Sequence, residues 1–151
     1  MNGGVGMPVS KEELVAIARK AWEKAYAPYS NYQVGAALLG KSGIVYTGCN
    51  IENASFGATI CAERVAACKA VSEGEREFEA VAIVVNADQP VLPCGICRQF
   101  LSEFNLDLKL YLATVKGAAI ETTTLREFLP GAFGPGNLNK SSTLATARAS
   151  E

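Results

Sequence analysis

Three cysteines and one glutamate stand out by type and spacing. Cys61-Ala62-Glu63 is answered by Pro93-Cys94-Gly95-Ile96-Cys97, three thiols with a carboxylate two residues beyond the first of them. Structural zinc sites usually close with four protein ligands, whereas catalytic ones use three and leave the fourth place to water. Both cysteine groups fall at predicted helix starts, where exposed N–H groups and the helix dipole favour thiolates. Three thiolates make zinc a poorer Lewis acid, and Arg64 and Arg98 directly follow the two ligand groups, placed to hydrogen-bond the sulfurs. Glu63 can reach a water on the metal without ligating it, and can move that water's proton to a substrate. The chain contains no histidine, which excludes Ser-His-Asp and Cys-His schemes and leaves thiolates or carboxylates to hold any zinc.

Two blander readings compete at this level. A redox dithiol also uses C-x-x-C, but the flanks lack the strand context of a thioredoxin motif. A structural zinc knuckle would recruit Cys49 or Cys68 as its fourth ligand. Cys68 falls seven residues after Cys61, about two helical turns away, which suits core burial better than shared ligation. Cys49, beside Gly48 in a predicted strand, also reads as a core thiol.

The elements that must carry these groups follow from patterning. Ser10 and Glu13 form a capping box before a helix predicted over about residues 11–26, ended by Pro28. Residues 33–39 and 44–50 read as strands joined by a tight turn and therefore antiparallel. A helix runs from Cys61 to near Gly74, and the apolar run 80–87 reads as a central strand covered on both faces. Residues 94–104 read as helix, 108–115 and 118–123 as strands in an antiparallel final pair, and 125–129 as a short last helix capped by Thr124. The two middle helices each link strands that can be parallel through right-handed crossovers. The expectation is an α/β fold: three layers, α/β/α, around a mixed five-stranded sheet with an antiparallel last strand.

Composition bounds the function. At 151 residues, 49% hydrophobic and 19% charged, the chain suits a single domain over 1–151, with 1–8 and 135–151 expected to be flexible. A net charge of -1 argues against a nucleic-acid partner. No apolar run approaches the roughly 20 residues that span a bilayer, and no signal h-region is present. The expectation is no membrane and a cytoplasmic location, where five cysteines serve as ligands or free thiols.

Cys-Ala-Glu followed by Pro-Cys-x-x-Cys resembles the zinc deaminase signature. Beyond it, AYAPYSNYQVGAALL (25–39), GCNIENASFGATICAERVAACKAV (48–71), PCGICRQFLSEF (93–104) and LPGAFG (129–134) resemble the homotetrameric cytidine deaminases of pyrimidine salvage, a likeness running from about 11 to 134. The resemblance implies zinc-dependent hydrolytic deamination of cytidine and 2′-deoxycytidine to uridine and 2′-deoxyuridine, with one Zn2+ per subunit of a homotetramer. It implies Cys61, Cys94 and Cys97 as zinc ligands, Glu63 as the proton shuttle, and Arg64 as the cation that offsets the thiolates. Asn50 and Glu52 would bind the ribose hydroxyls, chemistry that an amide and a carboxylate together satisfy. Ala62 would meet the base through its backbone. Tyr32 stands where the family usually has Phe to stack on the pyrimidine, Phe56 where relatives often have Tyr, and Phe133 matches an aromatic that reaches a neighbouring subunit's site. Deaminases of nucleic acid place a helix between the last two strands; the few residues available here are too short for that, which favours a free nucleoside. The nearest rival enzymes, deaminases of related aminopyrimidine nucleosides such as blasticidin S, lack the intact Asn50-Ile51-Glu52-Asn53 segment. The rival from another class is a non-catalytic zinc module.

Overall fold

The structure, a computed structural model, describes residues 8–138. Its first helix, α1 (Lys11–Trp22), starts at the capping box: Ser10 Oγ accepts from the Glu13 N–H at 3.1 Å, and Glu13 Oε2 accepts from the Ser10 N–H at 3.0 Å. It ends four residues before the expected 26 because the following backbone is engaged elsewhere. The Tyr26 N–H donates to the Asn50 carbonyl at 3.0 Å, and the Glu52 N–H donates to the Tyr26 carbonyl at 2.8 Å. Those groups would otherwise continue the helix ladder; instead they tie the end of α1 to the Asn50–Glu52 segment.

Strands β1 (Val34–Gly40), β2 (Val45–Cys49), β3 (Phe78–Val85), β4 (Lys109–Thr114) and β5 (Glu121–Thr124) form one sheet in the order β2-β1-β3-β4-β5. β1 is antiparallel to both neighbours, β3 and β4 are parallel, and β4 and β5 are antiparallel. Helix α2 (Ala62–Ser72) links β2 to β3, and α3 (Gly95–Ser102) links β3 to β4. The expected parallel relation therefore holds for β3 and β4 as neighbours, while β2 and β3 share a direction with β1 inserted between them. The final hairpin is antiparallel as expected, but β5 spans 121–124 rather than 118–123, and Leu125–Phe128 is a 3-10 turn. Residues 135–138 form one helical turn, and the expected flexibility of 1–7 and 139–151 lies outside the described residues.

The three layers are as patterning predicts. Leu14, Val15 and Ala18 of α1 pack on Ala37, Ala82 and Val84 on one sheet face. Ala66 and Ala70 of α2 and Leu101 of α3 pack on Leu38, Val81, Ile83 and Leu110 on the other. β3 is buried at every residue but Glu79, the central strand its apolar run implies. Among the described residues no helix is long and apolar enough to cross a membrane.

Helices sit this close to the sheet only where side chains are missing. A Cβ on Gly35 would lie 2.2 Å from the Ala18 carbonyl oxygen, and one on Gly48 would lie 2.2 Å from that of Ala62 and 2.6 Å from the Ala66 nitrogen. Gly48 thus lets the first turn of α2, which bears Glu63, rest directly on β2. Gly48→Ala is expected to push that turn outward, destabilising the protein by about 1–3 kcal/mol. In a thermal melt this reads as a loss of roughly 2–4 °C per kcal/mol; an unchanged melting temperature would show that the contact is not tight.

Candidate active site

Cys61 and Cys94 are the N-cap residues of α2 and α3, both in extended backbone, and neither side chain caps its helix. Their sulfurs are left to point at one another, 3.8 Å apart, and Cys97 in the first turn of α3 brings the third sulfur from the buried side. All three Sγ atoms lie within 4.8 Å of one another. A tetrahedral zinc with Zn–S bonds of about 2.3 Å sets its sulfurs roughly 3.8 Å apart, so the donor set fits that metal in type and spacing.

The charge balance points the same way. Cys61 is drawn down to about 5, first by a hydrogen bond from Cys97 and then by the Arg64 guanidinium and Cys94. Cys97, which gives that hydrogen bond and is buried, is raised. Arg64 Nη2 lies 3.6 Å from Cys61 Sγ, while Arg64 Nε is buried without a hydrogen-bond partner among the described residues. The guanidinium donates through Nη2 to Cys61 Sγ and so answers the negative charge of the sulfurs. Arg98 turns away from the sulfurs and donates to the Phe128 carbonyl at 2.6 Å, so of the two arginines only Arg64 meets them.

Glu63 is 4% exposed, and burial pushes its carboxyl up to about 7 against an opposing hydrogen bond from Cys97. A carboxyl poised near neutrality can both accept and return a proton. It faces a cavity of about 440 Å³ together with Cys61 and Cys94, and the same cavity is lined by Tyr32, Asn50 and Glu52. Asn50 is buried, its Oδ1 accepting from the Val34 N–H at 2.9 Å and its Nδ2 donating to the Tyr32 carbonyl at 2.7 Å. Glu52 Oε1 accepts from the N–H groups of Tyr29 and Ser30 at 2.9 and 3.0 Å, and Oε2 accepts from the Ser30 hydroxyl. These bonds, the Ser30 hydroxyl foremost, hold the Glu52 carboxyl below the usual carboxylate range.

The remaining expected residues are distributed around this centre. Phe56 lines an adjoining cavity of about 370 Å³ with Tyr29, Ser30, Glu52 and Thr59. Ala62 is fully buried in the core with its carbonyl against Gly48, and it is not among the residues lining the cavity. Phe133 also stands outside it, exposed, with its carbonyl accepting from Gln99 Nε2 at 3.0 Å. Two expectations fail. Cys68 is exposed rather than in the core, because α2 buries Ala62, Glu63, Ala66, Ala67 and Ala70 and turns position 68 outward. Cys49 is only half-buried, its Sγ donating to the Lys24 carbonyl at 3.5 Å. Neither joins the thiol cluster, so no fourth cysteine closes the site among the described residues. Sequence reasoning misses Ser30, Thr59, Ile83 and the 91–93 loop as cavity walls. The Pro-Tyr-Ser turn was a visible signal for Ser30; Ile83, inside an apolar strand, carries none.

The family described as "Cytidine and deoxycytidylate deaminase zinc-binding region" matches residues 8–113. Cytidine deaminase of Sporosarcina psychrophila is 51% identical over 129 residues, 85% of this chain and 94% of the relative. That of Halalkalibacterium halodurans is 49% identical over 132 residues, 87% of this chain and 99% of the relative. Among solved structures, cytidine deaminase from Burkholderia pseudomallei superposes with a TM-score of 0.79 at 43% identity, covering 82% of this chain and 99% of that one. The enzyme from Mycobacterium tuberculosis does so with a TM-score of 0.73 at 38% identity, covering 83% and 98%.

The purified protein is expected to carry one zinc per chain, and Cys94→Ala to lose it, both read by metal analysis. Stoichiometric zinc in that variant would show that the cluster is not the metal site. Sequence match, fold and donor set agree, and the chain belongs to the cytidine and deoxycytidylate deaminase family defined by this zinc-binding region.

Proposed function

We propose that the protein hydrolyses the C4 amino group of cytidine and 2′-deoxycytidine, giving uridine or 2′-deoxyuridine and ammonia. The observation that carries this reading is a single cavity whose walls include Cys61, Cys94 and Glu63 together with Tyr32, Asn50 and Glu52. Zinc, when bound by Cys61, Cys94 and Cys97, supplies Lewis acidity that makes water nucleophilic near neutral pH. Glu63 takes the proton of the attacking water and passes it to ring N3 as C4 becomes tetrahedral; it then takes the proton of the new C4 hydroxyl and delivers it to the amino group, which leaves as ammonia while the C4 carbonyl forms. Arg64 holds the sulfurs' charge in check. Tyr32 offers a ring face to the pyrimidine, and Asn50 and Glu52 take the sugar hydroxyls; by family likeness the Ala62 backbone, although Ala62 does not line the cavity, would meet the base edge.

A free nucleoside fits better than its 5′-phosphate, because among the described residues the cavity walls hold two carboxylates and no lysine or arginine. The net charge of -1 and the antiparallel β4–β5 pair support the same choice against a nucleic-acid substrate. A non-catalytic zinc module would have no use for a carboxylate 4% exposed and raised to about 7 beside its metal ligands. The reading takes the chain as one domain acting in nucleoside salvage in the cytoplasm, where thiols stay reduced.

Self-association, as a homotetramer by family likeness, is part of this reading. Phe56 is 74% exposed and meets Tyr29 edge-on with ring centroids 5.6 Å apart; Phe133 and Ile96 are 58% and 66% exposed. Exposed apolar side chains of this size are the kind of surface that a second copy covers. By the same family likeness Phe133, which does not line its own chain's cavity, would serve a neighbour's.

With zinc-loaded protein, loss of cytidine absorbance should accompany ammonia release. Glu63→Gln should keep its zinc and lose turnover by roughly a thousandfold; retained ammonia release would sink the mechanism, and an inactive but zinc-loaded parent would favour the module. Light scattering should give a mass above that of one chain, and a fully active monomer would remove the interfacial role of Phe56 and Phe133.

A further inference from the structure

The loop before β1 contains a side chain that touches both halves of the proposed nucleoside site. Ser30 Oγ donates to Glu52 Oε2 and accepts from the Tyr32 N–H at 3.0 Å, and Ser30 lines both the 440 Å³ cavity and the 370 Å³ one beside it. An ionised carboxylate has about four acceptor positions. Tyr29 and Ser30 occupy three of them on Glu52. The carboxylate thus reaches the cavity with its orientation set and about one acceptor position left for a ligand hydroxyl. The single hydroxyl hydrogen of Ser30 is spent on Glu52, so Ser30 itself has nothing to donate to a substrate.

We propose that Ser30 is a positioning residue that couples sugar recognition by Glu52 to base stacking by Tyr32. The inference rests on the reading in which Glu52 accepts from the ribose and Tyr32 stacks on the pyrimidine. Loss of the hydroxyl breaks two contacts at once: Glu52 Oε2 loses its donor, leaving the carboxylate held only at Oε1 by the two backbone N–H groups, and the Tyr32 N–H loses its acceptor. The rest of the loop has independent anchors. The Asn31 N–H donates to the Ala27 carbonyl at 2.9 Å, which supports the left-handed backbone at Asn31 (φ 56°), and Asn50 holds Tyr32 and Val34 from the other side. Ser30 is exposed, so removing its hydroxyl leaves no core cavity. The consequence is confined to ligand binding.

The test is steady-state kinetics of the full-length, zinc-loaded protein with cytidine, and competition by 2′,3′-dideoxycytidine, which lacks the sugar hydroxyls that Glu52 would accept. Ser30→Ala should raise KM for cytidine about tenfold, the scale of one hydrogen bond to a charged group, with kcat within about twofold. Its effect on the dideoxynucleoside should be clearly smaller, and Ser30→Thr, which keeps the hydroxyl, should restore the parent KM. An unchanged KM in Ser30→Ala, or equal penalties on both nucleosides, overturns the coupling. Glu52→Gln, measured on the same pair, separates the two levels. If it discriminates between the nucleosides while Ser30→Ala does not, only the role of Ser30 falls. If Glu52→Gln itself shows no discrimination, the sugar assignment falls and the coupling with it.

Discussion

Three sulfurs within 4.8 Å of one another cannot all be thiolates unless something answers their charge. Two like charges 3.8 Å apart, the Cys61–Cys94 spacing, repel by about 4 kcal/mol at an effective dielectric constant of 20. A helix N-terminus offers about 0.3–1 kcal/mol to a nearby anion, so the starts of α2 and α3 are useful but insufficient. A divalent cation must take most of the charge. Arg64, with Nη2 at 3.6 Å from Cys61 Sγ, takes part of the rest. Burial foremost, with the neighbouring Cys61 charge behind it, raises the Glu63 carboxyl. One electrostatic constraint therefore links the metal, the arginine and the proton carrier.

The sheet brings these groups to one edge. β3 ends at Val85, paired with Val34 at the start of β1, whose Gly35 faces Cys49 at the end of β2. The entry to β1, the exit from β2 and the loop after β3 thus emerge side by side, which is where α/β sheets collect ligands beyond their strand ends. Insertion of β1 antiparallel to both neighbours is what carries the Tyr29–Tyr32 loop to the metal edge. Glu52 then spends three of its roughly four acceptor positions on that loop, and Asn50 bonds the Tyr32 carbonyl and the Val34 N–H that follows it. Groups assigned to a sugar are at the same time the clasps that close its pocket. Such rigid support suits binding, because little ordering remains when the ligand arrives.

Much of this was legible in the chain itself. Cys61, Cys94 and Cys97, with Glu63 beside them, declare a metal site by type and spacing, and the absence of histidine leaves only thiolates or carboxylates to hold the metal. Helix starts at the capping box and at the two ligand cysteines follow from local chemistry, as does the doubly covered β3 from its β-branched run. What failed locally failed for tertiary reasons. α1 stops at Trp22 because Asn50 and Glu52 claim the backbone of Tyr26. Cys68 faces out because the contact of α2 with Gly48 sets the rotation of that helix.

The sequence by itself determined which atoms could do chemistry: thiolates, one carboxylate beside them and an amide–carboxylate pair upstream, since these are properties of residue type and short spacing. Only the tertiary structure decided that they face one cavity. Tyr32, Asn50, Cys61 and Cys94 come from four separate stretches, and their meeting depends on the β2-β1-β3 strand order, a long-range choice that no local pattern encodes. The fold likewise decided that Arg64 and not Arg98 meets the sulfurs, and that Ser30 stands between Glu52 and Tyr32. Both depend on where a side chain ends, which backbone packing sets and spacing along the chain does not.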